Sequence, residues 1–343
     1  MREIYRILDA NFNRAREALR VAEDCGRFAL NDPAITAMAK TFRSDLAEVL
    51  RGLPTLEFIT SRDTPGDLGT DLTSPMETRR DSMSDVAVAA CKRLTESLRT
   101  IEEYSKVVAP TLTLTIERMR YNAYTLEQRL VGRLLVGARF ASVRLYVLLS
   151  SHMCNGSLLE VARAAIAGGA DAIQLREKHI PDAQLLAFAA ELRELTDETD
   201  RLLIINDRAD IAAIVGADGV HLGQGDLPIA EARRLLRPGA IVGRSTHSID
   251  QMRAAVNEGA DYVSAGPMFP TTTKDRAPVG PGLLEQAVAE KITLPVVCIG
   301  GITAENVGSL VKLGARCVAV SAAVCGATDQ RAAAEAIRAQ LPQ

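Results

Sequence analysis

Residues 174–178 read Gln-Leu-Arg-Glu-Lys, where a hydrophobic run from Ala172-Ile173 gives way to His179-Ile180-Pro181. Three long polar side chains, Gln174, Arg176 and Lys178, leave one strand end together. In parallel α/β proteins ligands bind beyond the carboxyl ends of the strands, so these groups are suited to grip a polar, anionic molecule. Taken alone, the segment fits a solvated strand end equally well. Repetition decides: Asn206-Asp207-Arg208, His221-Leu222-Gly223-Gln224-Gly225-Asp226, Ser245-Thr246-His247, Thr271-Thr272-Thr273-Lys274, Gly300-Gly301 and Val320-Ser321 each follow or end a further hydrophobic run. Asp207 and Asp226 could share a hard cation such as Mg2+ or act as general acid and base. The company of Arg176, Lys178 and Lys274 favours the metal, because cations around Mg2+ suit a pyrophosphate that is held or leaving. Gly300-Gly301 and Val320-Ser321 would let backbone N–H groups approach a second, smaller phosphate; a tight turn alone is the plainer account of the glycines. His221 and His247 lack partners at zinc spacing, which favours a structural role for both. Ser245 lacks a Gly-x-Ser-x-Gly setting and is not read as a nucleophile.

These residues need elements to hold them. From Val143 onward, short apolar runs alternate with amphipathic stretches of helical length. The strands expected are Val143–Leu149, Ala172–Arg176, Leu202–Asn206, Gly219–Leu222, Ala240–Gly243, Tyr262–Ala265, Val296–Ile299 and Cys317–Val320. Helices are expected between them, among others over Leu158–Ala167, Asp182–Thr196, Ile249–Glu258 and Ala304–Leu313. Eight βα units over about two hundred residues make an α/β protein of the (β/α)8 TIM barrel type. A doubly wound sheet is the runner-up, weakened by the absence of a Gly-x-Gly-x-x-Gly loop after the first strand.

The strings Gln174-Leu175-Arg176-Glu177-Lys178, Asn206-Asp207-Arg208, Gly219-Val220-His221-Leu222-Gly223-Gln224, Ser245-Thr246-His247-Ser248, Gly266 through Lys274 and Ile299-Gly300-Gly301-Ile302 closely resemble, in order, thiamine phosphate synthase. The resemblance spans residues 143–343. It implies joining of a hydroxymethylpyrimidine diphosphate to hydroxyethylthiazole phosphate, with pyrophosphate leaving first and the thiazole nitrogen capturing the resulting pyrimidinylmethyl cation. By matching motif, Gln174, Leu175, Arg176, Glu177, Lys178, Asn206, Ser245 and Lys274 would hold the pyrimidine diphosphate. Of these, Arg176, Lys178, Ser245 and Lys274 would be catalytic. Asp207 and Asp226 would bind Mg2+, and Thr271, Thr272, Thr273, Gly301, Val320 and Ser321 would hold the thiazole phosphate. The chain has Gly225-Asp226-Leu227-Pro228 where Asp-Met-Pro is usual, which keeps the metal ligand. The alternative is a thiazole tautomerase, which shares the barrel but does not couple; the complete pyrimidine and metal set argues against it.

Residues 1–135 show no strand alternation but strong helical periodicity over Asn11–Leu30, Ala34–Arg51, Arg79–Val107 and Leu112–Leu135, with a polar loop over Ser61–Pro75. An all-helical domain is expected, giving way to the barrel at residues 132–142. Within it, Arg14-x-x-Glu17-x-Leu19-Arg20-x-x-Glu23-Asp24-x-x-Arg27 recurs as Arg93-x-x-Glu96-x-Leu98-Arg99-x-x-Glu102-Glu103-x-x-Lys106, an offset of 79 (93 minus 14). Each set lines one helical stripe. Such stripes are ordinarily solvated ion-pair faces; two of them could also face each other across a polar pocket, with Arg20, Glu23 and Arg99 lining it and Asp67 of the following loop contributing a carboxylate for Mg2+. No Walker loop or protein-kinase set is present, so nucleotide binding does not follow from spacing. The segment Ile7–Asp24 resembles the small helical hydroxymethylpyrimidine phosphate kinase family, alone or fused to the synthase. That resemblance implies a bifunctional chain with ATP as a substrate; a module for oligomerisation or for sensing pathway ligands is the alternative.

The chain of 343 residues carries a net charge of −3, which gives no drive toward nucleic acid or membrane. Small-molecule partners are expected, and a homo-oligomer is compatible with the sequence. Six cysteines without metal spacing and no apolar leader suggest a reducing cytoplasm.

Overall fold

The computed structural model describes residues 1–30, 32–67, 79–271 and 277–342, and divides the chain into two compact units, Met1–Leu135 and Val136–Gln343. In the first unit α1 spans Arg2–Asp24 and runs into a π-helical turn, Cys25–Ala29. Then come α2 (Pro33–Arg51), α3 (Thr55–Thr60), α4 (Met83–Val108) and α5 (Thr113–Ala141), the last crossing the division. The helix α1 begins nine residues before the expected Asn11 (11 minus 2), because Ile4, Tyr5 and the buried Leu8 continue its apolar stripe into the same core. The short α3 is unforeseen; its one buried side chain, Phe58, packs on Tyr5 and Phe12 with ring centroids 5.7 and 6.2 Å away. Asp32 caps α2 by accepting from Ala34 N and Ile35 N at 3.0 Å, a contribution of about 1 kcal/mol.

The second unit is a closed barrel of eight parallel strands in sequence order, which excludes the doubly wound alternative. The strands are β1 (Leu145–Leu149), β2 (Ala172–Leu175), β3 (Leu202–Asn206), β4 (Gly219–Leu222), β5 (Ile241–Thr246), β6 (Tyr262–Ala265), β7 (Val296–Ile299) and β8 (Cys317–Val320). The connecting helices include α6 (Leu158–Ala167), α7 (Asp182–Glu198), α8 (Ala209–Ile214), α9 (Ile229–Leu235), α10 (Ile249–Asn257), α11 (Gly282–Ala289) and α12 (Val307–Lys312). Here β5 runs past the expected Gly243, since Ser245 and Thr246 pair with Ser264 and Ala265. In turn α12 starts at Val307 rather than Ala304, because Asn306 closes a turn, accepting from Thr303 N and donating to Gly301 O.

Strand side chains alternate between two layers. One set, including Val147, Leu149, Ile173, Leu175, Leu203, Ile205, Val220, Val242, Val263, Val318 and Val320, faces the helices and forms their shared core. The other, including Tyr146, Leu148, Ala172, Ile204, Ile241, Tyr262, Val297 and Ala319, fills the barrel interior with Phe140. The strands are largely buried on both faces and so are rich in apolar residues, with their polar side chains gathered toward the carboxyl ends.

Candidate active site

Alternation sorts the polar residues of the strands. Gln174, Asn206, His221, Ser245 and Ser264 share the inward phase with Tyr146 and Tyr262, and all five are buried. Gln174 Nε2 donates to Tyr146 Oη at 2.6 Å, while Gln174 Oε1 is buried with no hydrogen-bond partner among the described residues. A buried acceptor left unmet costs about 1–3 kcal/mol, so this oxygen is placed to receive a donor from a ligand. Gln174, Asn206, Arg176 and His221 line one deep cavity. It shares Leu148, Arg176, Ser264, Ile299 and Ala319 with a more open cavity that also has Thr271, Gly300, Gly301, Val320 and Ser321 in its wall. Two adjoining compartments thus meet at Arg176.

At the mouth, the first residues beyond the strands carry the charge. Burial lowers the Arg176 guanidinium below its usual range, opposed by Asp207 and Glu177, and it makes no hydrogen bond among the described residues. Lys178 Nζ lies 3.5 Å from Asp207 Oδ2. Asp207 has a left-handed backbone, φ 60°, with its N–H donating to His221 O at 2.8 Å. A non-glycine residue held there is strained, and such strain collects at functional sites. Burial, then the neighbouring Asp226, raises the Asp207 carboxyl above the usual carboxylate range, against the pull of Lys178. For Asp226 burial also acts upward, but the hydrogen bond shared with Asp207, the Gly223 N–H at 2.6 Å, Lys178 and Arg244 outweigh it and hold the carboxyl low. Two carboxylates close enough to share a proton will exchange it for a divalent cation, so the donor set fits Mg2+ completed by phosphate or water oxygens. Among the described residues no group of three or more His, Cys, Asp or Glu side chains comes together, so the pair stands without further protein ligands of that kind.

Gly300 and Gly301 have φ 100° and 64°; a Cβ on Gly301 would lie 2.4 Å from Pro270 O. Only glycine lets this backbone close on the β6 loop. Ser321 Oγ donates to Leu148 O at 2.9 Å. His247 also lines the open cavity, with Nδ1 2.7 Å from Gly266 O.

Two expectations, for Leu175 and Glu177, need correction. Leu175 is fully buried in the helix-facing core and cannot offer its side chain to a substrate. The Val320 side chain faces the same way, and it reaches the open cavity through its backbone, the route expected of its N–H. Glu177 turns back to accept a hydrogen bond from Ser151 N, fastening the β2 loop to the β1 loop. Thr272, Thr273 and Lys274 lie outside the described residues. Sequence reading missed Tyr146, Tyr262 and Ser264, whose signal was an inward phase shared with Gln174 and Ser245.

In the helical unit the repeated stripes are ion-pair faces with a buried carboxylate in each. Glu23 is 3.0 Å from Arg43 of α2 and 3.8 Å from Arg20. Glu102 is 2.7 Å from Arg120 of α5 and 2.8 Å from Arg99. Each Glu ties the first helix of its pair to the second, so Arg20 and Arg99 are committed to these carboxylates rather than standing free across a pocket. Asp67 is described, with its N–H 3.3 Å from Thr64 O, whereas Leu68-Gly69-Thr70 is not.

A family model described as thiamine monophosphate synthase matches residues 145–324, from the first residue of β1 onward. The chain belongs to the thiamine-phosphate synthase family. A second model, described as the ThiD2 family, matches residues 6–129. The thiamine-phosphate synthase of a Nostoc species is 42% identical over 318 residues, 92% of this chain and 88% of the relative. That of a Synechocystis species is 40% identical over 339 residues, 98% and 96% of the two chains. Thiamine phosphate pyrophosphorylase from Pyrococcus furiosus superposes with a TM-score of 0.54 at 39% identity, covering 58% of this chain and 95% of that one. The chain is therefore a transferase of thiamine biosynthesis, a thiamine-phosphate synthase preceded by a ThiD2-type helical unit, and the tautomerase alternative is set aside. No helix among the described residues is long and apolar enough to cross a membrane.

Proposed function

We propose that the carboxyl ends of the barrel strands perform the synthase reaction. Gln174 and Asn206 hold the pyrimidine in the deep compartment, and Arg176 and Lys178 hold its diphosphate at the mouth, with Lys274 assigned to the same group by its motif alone. Thr271, Gly301 and Ser321 receive the thiazole phosphate in the open compartment, with the backbone of Val320, and Thr272 and Thr273 are assigned to it by motif alone. The C–O bond between the pyrimidine methylene and the diphosphate breaks with its electron pair on the departing oxygen, and the thiazole nitrogen lone pair then forms the C–N bond. No protein nucleophile is needed, since that lone pair is already free. The protein's part is to offset charge on the leaving group and to align the two rings. Mg2+, held by Asp207 and Asp226, supplies further neutralisation of pyrophosphate charge when bound. The observation that carries this reading is the meeting of the two cavities at Arg176, with Lys178 3.5 Å from Asp207 at their mouth and a buried Gln174 oxygen that has no hydrogen-bond partner among the described residues.

The ThiD2 match over residues 6–129 and the Ile7–Asp24 segment support a second activity, ATP-dependent phosphorylation of the pyrimidine monophosphate to the diphosphate that the barrel consumes. Arg20, Glu23, Asp67 and Arg99 are its candidate residues, the first two and the last within the ion pairs above. A paired reaction tests both assignments: full-length protein, Mg2+ and thiazole phosphate with either the diphosphate, or the monophosphate plus ATP. Thiamine phosphate from both mixtures is expected. Product from the diphosphate alone would remove the kinase reading and leave the synthase.

A further inference from the structure

An unbroken line of hydrogen bonds crosses the barrel interior along the floor of the deep compartment, which Tyr146, Gln174 and His221 help to line. Gln174 Nε2 donates to Tyr146 Oη at 2.6 Å, Tyr146 Oη lies 3.1 Å from Tyr262 Oη, and Tyr262 Oη lies 2.9 Å from His221 Nδ1. His221 Nε2 in turn lies 2.9 Å from Ser245 Oγ. Both tyrosines are fully buried, which holds their phenols above the usual range, so both carry protons. Space for the line is built in: a Cβ on Gly243 would sit 2.1 Å from Tyr262 Cζ and 2.5 Å from its Oη. The floor is Phe140, near the end of α5, stacked on Tyr262 at 3.9 Å and 14° and edge-on to Tyr146 at 6.1 Å.

The protons can be followed from one end. With the Gln174 amide oriented as in the structure its nitrogen donates and Tyr146 Oη accepts, so the Tyr146 proton goes to Tyr262, its other partner among the described residues. Tyr262 then spends its proton on His221 Nδ1. A neutral imidazole whose Nδ1 accepts carries its proton on Nε2, which donates to Ser245 Oγ. Any break leaves a buried phenol proton unpaired, at a cost of about 1–3 kcal/mol. The line therefore has one direction, with an acceptor, Gln174 Oε1, at its start and a hydroxyl proton, that of Ser245, released at its end.

We propose that Phe140, Tyr146, Tyr262 and His221 are positioning residues: a one-way relay, floored by Phe140, that fixes Gln174 as an acceptor and Ser245 as a donor toward the pyrimidine. This rests on the assignment of Gln174 and Ser245 to the pyrimidine diphosphate. The ligand edge so selected presents a donor on one side and an acceptor on the other, as an aminopyrimidine does.

The chain has four histidines, so 15N-histidine labelling of the full-length protein resolves the tautomer of His221, assigned by loss of its signals in His221→Gln. The expected wild-type state is the Nε2–H tautomer. Tyr262→Phe keeps the ring and deletes the link, and should both disturb that state and raise KM for the pyrimidine diphosphate about tenfold, with kcat and KM for thiazole phosphate within about twofold. Phe140→Leu, which keeps the floor apolar, should shift the His221 signals although it does not touch that ring. Cooperative unfolding in both variants, with a midpoint lowered by no more than the several degrees that about 1–3 kcal/mol implies, separates positioning from collapse. An Nδ1–H tautomer or an imidazolium in the wild type, or a Tyr262→Phe protein with unchanged His221 signals and unchanged KM, overturns the relay. Gln174→Ala distinguishes the underlying assignment: unchanged KM for the pyrimidine diphosphate there would sink the assignment and the relay with it, whereas a raised KM alongside a wrong tautomer sinks the relay alone.

Discussion

At the scale of single residues, the Asp207–Asp226 pair governs how the site responds to pH. The folded protein holds Asp207 above the ordinary carboxylate value, chiefly through burial, so it binds that proton more tightly than the unfolded chain does. Without Mg2+, this contribution to stability is present at low pH and lost as pH rises through the raised value. Asp226, held low by the hydrogen bond it shares and by Gly223 N–H, runs the other way and is lost only on stronger acidification. Mg2+ replaces the shared proton, so its stabilising effect must grow as that proton leaves. Differential scanning calorimetry should show the Mg2+-induced rise in thermal midpoint shrinking as pH falls from neutral into the range where Asp207 takes up its proton, and Asp226→Asn should weaken that dependence. Leu175→Met is the matching control: its side chain faces the helix layer, and the change should leave both KM values within about twofold while costing under about 1.5 kcal/mol.

At the scale of elements, two predictions follow from how the loops and helices are tied. Gly301→Ala places a Cβ 2.4 Å from Pro270 O on a backbone with φ 64°, so the turn after β7 must shift. KM for thiazole phosphate should rise at least about tenfold, with about 1–3 kcal/mol of strain and little change in KM for the pyrimidine diphosphate. In the helical unit, Glu102→Ala leaves Arg120 of α5, itself largely buried, without its carboxylate. Loss of one partner of a buried pair costs about 3–5 kcal/mol, and the unfolding of that unit, followed by far-ultraviolet circular dichroism, should come several degrees earlier. The strands are legible because burial on both faces makes each a mostly apolar run with a turn at either end, and the polar residues in the last positions of each run and just past it form the site. Leu175 departs from its expected role because a strand sends neighbours to opposite faces, so a contiguous motif does not make a contiguous surface. Tyr146 and Tyr262 were passed over because an aromatic residue inside an apolar run looks like core, and only the register shows its hydroxyl facing Gln174 or His221. The stripes of α1 and α4 were found, but helical periodicity names a face without naming what covers it; α2 and α5 do.

At the scale of the whole molecule, the chain joins a ThiD2-type unit to a synthase barrel, and relatives aligned over nearly their full length share the synthase name. If the helical unit makes the diphosphate, Arg20→Ala should lower ATP-dependent turnover of the monophosphate while leaving turnover of supplied diphosphate unchanged. Because Arg20 is mostly exposed, the loss of its ion pair alone should cost no more than about 1 kcal/mol. The central claim concerns the barrel mouth, and kcat/KM for thiamine phosphate formation from the supplied diphosphate, measured across a Mg2+ titration in wild type and Asp207→Asn, tests it most directly. The account predicts a folded variant at least about a hundredfold slower, with its Mg2+ requirement shifted to higher concentration. Wild-type turnover with an unshifted Mg2+ dependence in Asp207→Asn would contradict it.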